Sequence, residues 1–171
     1  MKKLTFIALS LIVFSCQNKT KETIIKDIVG SKKDFVINIK FKTNKAGEIK
    51  LALYNIVPNT SQNAWIQINE EVVATPTLDN LTANFGENIS NSFRIGFDNK
   101  TERKFEFEWI RISYGKREIE IYPEDFTQYF TLNEFVVQNP ISLELETKKI
   151  NGKYNPLLFL KKEYLIDLRE E

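Results

Sequence analysis

From Asp34 onward the hydrophobic residues of the chain fall on every second position. Phe35, Ile37, Ile39 and Phe41 alternate with Val36, Asn38, Lys40 and Lys42, and beyond Thr43-Asn44-Lys45-Ala46-Gly47 the residues Ile49, Leu51 and Leu53 alternate with Lys50, Ala52 and Tyr54. A period of two sends alternate side chains to opposite sides of an extended chain, so each run predicts a half-buried strand. The short turn-forming segment between them predicts a hairpin. Residues 64–69 and 71–75 predict two shorter strands around a tight turn, with Ala64, Ile66 and Ile68 opposite Trp65, Gln67 and Asn69, and Pro76 ending the run.

The same alternation continues through the second half. After an Asn-rich loop, residues 92–98 direct Phe93, Ile95 and Phe97 inward and Arg94 and Asp98 outward, and Asp98-Asn99-Lys100-Thr101 makes a turn. Residues 104–114 start with Phe105 and Phe107 inward, yet the next apolar pair, Ile110 and Ile112, has the opposite parity. One extra residue near Glu108-Trp109 restores a single buried face, which is what a β-bulge does. Gly115 turns the chain into a return strand at 117–122, and further strands are expected at 133–138, 141–147 and around Leu157–Leu160. Helical spacing is confined to a turn or two near Phe126–Phe130. Many short strands with turns every 8–12 residues predict an all-β sandwich or barrel in one domain over residues 34–171.

The first 33 residues are different in kind. Met1-Lys2-Lys3 is basic, residues 4–15 (LTFIALSLIVFS) are apolar and uncharged, and Cys16 follows at once. A run of that length suits the core of a secretory signal and is too short for a spanning helix, which needs about 20 residues. Val13-Phe14-Ser15-Cys16 resembles the lipobox of bacterial lipoproteins, with an aliphatic residue, a bulkier one than usual, a small one and then cysteine. The resemblance implies cleavage before Cys16 and acylation of that residue. Several acyl chains on one residue hold a protein far more firmly than one chain, since each buried methylene contributes about 0.8 kcal/mol. Residues 17–33 are polar and lysine-rich, the composition of a tether, although Ile24, Ile25, Ile28 and Val29 leave room for a short helix or edge strand. The expected location is the cell envelope, on a lipid anchor facing the periplasm or the exterior.

Composition narrows the chemistry. Cys16 is the single cysteine and the chain has no histidine. The folded part therefore offers no disulfide, no thiol nucleophile and no Ser-His-Asp triad. Removal of residues 1–15 takes away Lys2 and Lys3 and no acid, leaving 22 basic and 23 acidic residues. Such a balance gives no long-range attraction for nucleic acid. Glycoside hydrolysis requires two carboxylates about 5–9.5 Å apart, and Glu70, Glu71, Asp98, Glu106, Glu108, Glu118 and Asp125 are candidates by type alone. Glu106 and Glu108 alternate with phenylalanines, as on any solvated strand face, and the chain is expected not to be an enzyme. There is no Asp-x-Asp-x-Asp loop for calcium, and no cofactor is expected.

The succession FVINIKFKTN, GEIKLALYN, AWIQI, FRIGFDN and FEFEWIRISYG, followed by a short return strand, resembles the jelly-roll carbohydrate-binding modules of galactose-binding-like fold over roughly residues 35–122. The spacing F-x-F-x-x-I-x-I from Phe105 and the R-[ILV]-x-F segment from Arg94 carry that similarity. It implies an antiparallel β-sandwich of jelly-roll type with a sugar bound on a sheet face or in end loops, and in some such modules loop carbonyls hold a structural calcium.

Residues of outward parity supply the matching chemistry. Tyr54, Trp65, Gln67, Arg94, Asp98, Trp109 and Arg111 all fall opposite the apolar side of their own strands. Sugars pack flat C–H faces on aromatic rings and pair hydroxyls with amides, guanidinium and carboxylate groups. The expectation is a membrane-anchored protein that binds a glycan through this set. Two alternatives stand beside it. The tryptophans fill a second layer under a long loop, or the chain is an assembly lipoprotein that docks on an envelope protein through a sheet edge or the Asn80–Asn91 stretch.

Overall fold

Alternation of this regularity can be satisfied only by burying one side of each strand, and the chain does so by folding its strands into two packed sheets. The computed structural model describes residues 33–56, 63–88, 90–98 and 100–170. The expected export signal, Cys16 and the expected tether up to residue 32 lie outside the described residues. In chain order the elements are β1 (Phe35–Thr43), β2 (Gly47–Ile56), β3 (Asn63–Val72), β4 (Asp79–Asn84), β5 (Phe93–Phe97), β6 (Lys104–Tyr114) and β7 (Arg117–Ile121). A 3-10 turn at Pro123–Asp125 leads into the short helix α1 (Phe126–Tyr129), then β8 (Phe130–Leu132), β9 (Val136–Gln138), β10 (Leu145–Thr147), β11 (Leu157–Leu160) and α2 (Lys162–Asp167).

Among the described residues these strands make two antiparallel sheets. The six-stranded sheet has the order β4-β1-β6-β10-β9, with β7 alongside the far half of β6, and the five-stranded sheet has the order β3-β2-β5-β11-β8. The molecule is an all-β sandwich. Among the described residues no helix is long and apolar enough to cross a membrane.

The core is the aromatic and aliphatic filling between the two sheets. Phe35, Ile37, Ile39 and Phe41 of β1 face Ile49, Leu51 and Leu53 of β2 and Phe93, Ile95 and Phe97 of β5, all of them buried. Phe97 and Phe105 meet across the layers with ring centroids 4.4 Å apart, and Phe35 meets Phe93 edge-on at 5.8 Å. Each such ring removed from water contributes about 1.5–3 kcal/mol. The expected bulge is present. Trp109 lies opposite Lys40 and Phe107 opposite Phe41, so Glu108 is the extra residue that keeps Phe105, Phe107, Ile110 and Ile112 on one buried face.

Four expectations are corrected. β1 and β2 are not a hairpin, because the segment between Thr43 and Gly47 carries the chain from one sheet to the other. Alternation specifies which side of a strand is buried, and it is silent on which strand lies next to it. The turn expected near Glu70 is absent, since β3 continues through Glu70 opposite Ile49 to Val72 opposite Gly47. Part of the Asn-rich segment is the edge strand β4, which buries Leu81 and Ala83 against β1 and leaves its polar residues in solvent. The C-terminal helix α2 is not foreshadowed by any helical spacing, because only Leu165 within it and Leu168 directly after it are buried.

Candidate functional site

The outer face of the five-stranded sheet is built around a small residue. Ala52 of β2 lies between Gln67 of β3 and Arg94 of β5, while Tyr54 pairs with Trp65 one step along. A methyl side chain at residue 52 lets the long Arg94 side chain lean across β2. Its guanidinium carbon sits 3.8 Å from the centre of the Trp65 ring, and Tyr54 packs on the same ring at 5.1 Å. Ala52 is consequently 1% exposed although it lies on the outer side, whereas Trp65 retains 38% of its surface in solvent.

Beside this stack the face is hollow. A shallow open depression of about 280 Å³ is lined by Lys50, Gln67, Arg94, Gly96, Asn155 and Leu157, with Phe97 at its margin. Gly96 makes the space. A Cβ there would come within 3.2 Å of the Leu157 side chain and 3.6 Å of Lys50 Cβ, so any larger residue would fill the hollow or displace its wall. Among the described residues Arg94 has neither a hydrogen-bond partner nor a carboxylate, and burial pushes its guanidinium below the usual arginine range. Gln67 donates to the Asn69 side chain at the rim. Lys50 meets Glu48 at 3.2 Å.

Trp109 and Arg111 lie on the opposite outer face. Arg111 also stacks on an aromatic ring, with its guanidinium carbon 4.1 Å from the Trp109 centre. Here the cation is engaged, since Arg111 Nε and Nη2 both donate to Glu120 Oε1, at 3.1 and 2.8 Å. That hydrogen bond raises the Arg111 guanidinium above its ordinary range, and a further bond to Glu120 raises the Tyr122 hydroxyl. Next to it, Lys40 pairs with Glu108 and Lys42 with Glu106. This face is a ladder of closed ion pairs.

Asp98 departs from its expected outward position. It is 5% exposed at the end of the sandwich, where its carboxylate meets Arg103 Nη2 at 3.2 Å. The strand ends at Phe97, so parity no longer governs the next side chain. Arg103 is itself 1% exposed, donates to the Glu48 carbonyl, and leaves Nε and Nη1 without a partner among the described residues. Burial alone would push the Asp98 carboxyl up. Backbone N–H groups of Lys100, Glu48 and Thr101, together with Arg103, outweigh it and hold the carboxyl below the usual aspartate range. The pair ties the two sheets together, because Asp98 follows β5 and Arg103 precedes β6. Gly47 is obligatory there, since a Cβ would lie 2.0 Å from the carboxylate. A wider hollow of about 600 Å³ opens outside it, along Gly47, Glu48, Glu71, Val72 and Asp98.

The seven outward candidates thus do not converge. Tyr54, Trp65, Gln67 and Arg94 share one face, Trp109 and Arg111 share the other, and Asp98 belongs to a buried ion pair. Sequence reasoning passed over Lys50, Gly96, Asn155 and Leu157. A lone glycine inside the strand pattern FRIGF signals a close approach or missing bulk, but Asn155 and Leu157 reach the depression only through the pairing of β11 with β5. Among the described residues no three acidic side chains gather in a group that could hold a metal ion. Fold and face together define an all-β sandwich carrying, on one outer sheet surface, a depression lined by cationic and amide side chains next to an arginine stacked on a tryptophan. No family model, curated protein or solved structure matches the chain.

Proposed function

We propose that the chain is a lipid-anchored envelope protein of bacterial type, attached through Cys16, whose five-stranded outer face binds a glycan. The observation that carries the reading is the partly exposed Trp65 ring stacked with Tyr54 and with Arg94, the last of which also lines the Gly96 depression. A flat ring beside fixed amide and guanidinium donors is suited to the two surfaces of a sugar, the C–H face and the hydroxyl edge. The two-sheet sandwich is compatible with a galactose-binding-like jelly roll. Binding is favoured over catalysis because the chain has no histidine, and Glu106 and Glu108 are engaged by lysines. A glycan array with the full chain, followed by titration calorimetry, tests it. Trp65→Ala should abolish binding while Trp109→Ala leaves it intact, and no bound glycan, or binding indifferent to Trp65, would overturn the reading. The anchor is tested by labelling with a palmitate analogue, which Cys16→Ala should eliminate.

One observation favours a second reading. β3 is a ten-residue edge strand whose outer side pairs with no other strand among the described residues. Such an edge can accept a strand from a protein partner, in keeping with an assembly lipoprotein. A defined envelope partner bound in glycan-free buffer, and lost on placing proline in β3, would support this reading over the first.

A further inference from the structure

The cations on the outer faces of the main strands follow a rule to which Arg94 is the exception. Lys40, Lys42, Lys50, Lys104 and Arg111 each meet a carboxylate within 3.2 Å. Arg94 meets none among the described residues, and no aspartate or glutamate lines the depression beside it. Its guanidinium is nevertheless held in place by the Trp65 ring, so its planar donor edge is oriented before any ligand arrives. Burial disfavours its charge, a cost that a bound anion would offset. Around it stand the amides of Gln67 and Asn155, the apolar Leu157, and the empty volume left by Gly96.

From this arrangement we infer that the face takes an acidic saccharide, with the carboxylate of a uronic acid residue seated on Arg94. The inference rests on the glycan reading of the same face. A carboxylate matches the two parallel N–H groups of a guanidinium edge, and such charge-assisted pairs are shorter and stronger than neutral ones. The sugar's hydroxyls then fall to Gln67 and Asn155, and its C–H face to Trp65 and Leu157. Esterifying the carboxylate removes the charge and leaves the ring unchanged, which makes the acid and its methyl ester the discriminating probes.

The experiment is an array of matched galacturonate, glucuronate and mannuronate oligosaccharides, each as free acid and methyl ester, with neutral oligosaccharides alongside. It is read with the full chain and with Arg94→Gln, Arg94→Lys and Trp65→Ala, each checked for an unchanged thermal melt. The expected result is a free acid bound at least about tenfold more tightly than its ester. That preference should weaken with added salt, collapse in Arg94→Gln and be only partly restored in Arg94→Lys. Trp65-dependent binding in which ester or neutral sugar equals the acid, or a preference that survives Arg94→Gln, would overturn the inference and leave the glycan reading standing. Absence of Trp65-dependent binding across the whole array would overturn both.

Discussion

The two outer faces of the sandwich carry the same pair of residue types and use them in opposite ways. On the six-stranded sheet Arg111 stacks on Trp109 and is closed off by Glu120 on the neighbouring strand β7, so its charge is spent within the protein. On the five-stranded sheet Arg94 stacks on Trp65, and its lateral neighbours are Ala52 and Phe159, neither of which can accept a hydrogen bond from it through a side chain. The difference lies in the cross-strand partner and not in the arginine or the ring. An arginine beside a tryptophan is therefore no signature of a site. What marks Arg94 as a candidate is the absence, among the described residues, of the acid that accompanies Lys40, Lys42, Lys50, Lys104 and Arg111, together with a glycine that leaves room for something else.

That comparison depends on the strand register, and the largest effect expected is the one that tests it. Phe107→Ala should destabilise the fold by about 3–5 kcal/mol in chemical denaturation, whereas Glu106→Ala, one step away on the outer face, should change it by no more than about 0.5 kcal/mol. The reverse order would exchange the inner and outer faces of β6 and dissolve the contrast. A smaller loss, about 3 kcal/mol, is expected for Asp98→Ala, because it strands the buried Arg103 charge without its counter-ion. The acid limb of stability should change with it. The Asp98 carboxyl is held below its ordinary value of 3.8, so its stabilising contribution is complete above that pH and is lost as the pH falls through the depressed value. Urea midpoints measured from pH 5 downward should show a shallower decline in Asp98→Ala than in the parent.

The smallest effects compare the two faces directly. Glu120→Gln opens the Arg111 pair at the surface and should cost up to about 1 kcal/mol. Arg94→Gln breaks no ion pair among the described residues and should alter stability by less than about 0.5 kcal/mol while removing the preference for a free acid over its ester that the proposed site is expected to show. Equal destabilisation by the two substitutions, measured by urea titration, would mean that Arg94 has a protein partner after all and that the faces are alike.

Much of the fold is legible in the sequence. The period of two in β1, β2, β5 and β6 prescribed their buried residues, and the parity break between Phe107 and Ile110 located the bulge within one residue. Trp65, Gln67 and Arg94 lie outward for the same reason, since the side on which a residue falls follows from its own strand. Pairing is another matter. Whether Gly47–Ile56 lies beside Phe35–Thr43 or across the core from it depends on which arrangement fills the interior, and both leave an identical local pattern. So the local pattern fits a hairpin that does not form, and it places in one set residues that lie on two opposite surfaces.

The remaining features are non-local. Asp98 is buried because Arg103 closes over it from the other sheet, an encounter that no spacing of five residues in a turn reveals. Asn155 and Leu157 border the depression because β11 lies against β5, some sixty residues earlier in the chain. Local alternation, a property of each strand alone, decided what is inside and what is outside. Only the packing of strands far apart in sequence decided which outward residues share a surface, which cation finds a carboxylate, and where Gly96 leaves a space, because those depend on volume and charge contributed by elements that the local pattern does not connect.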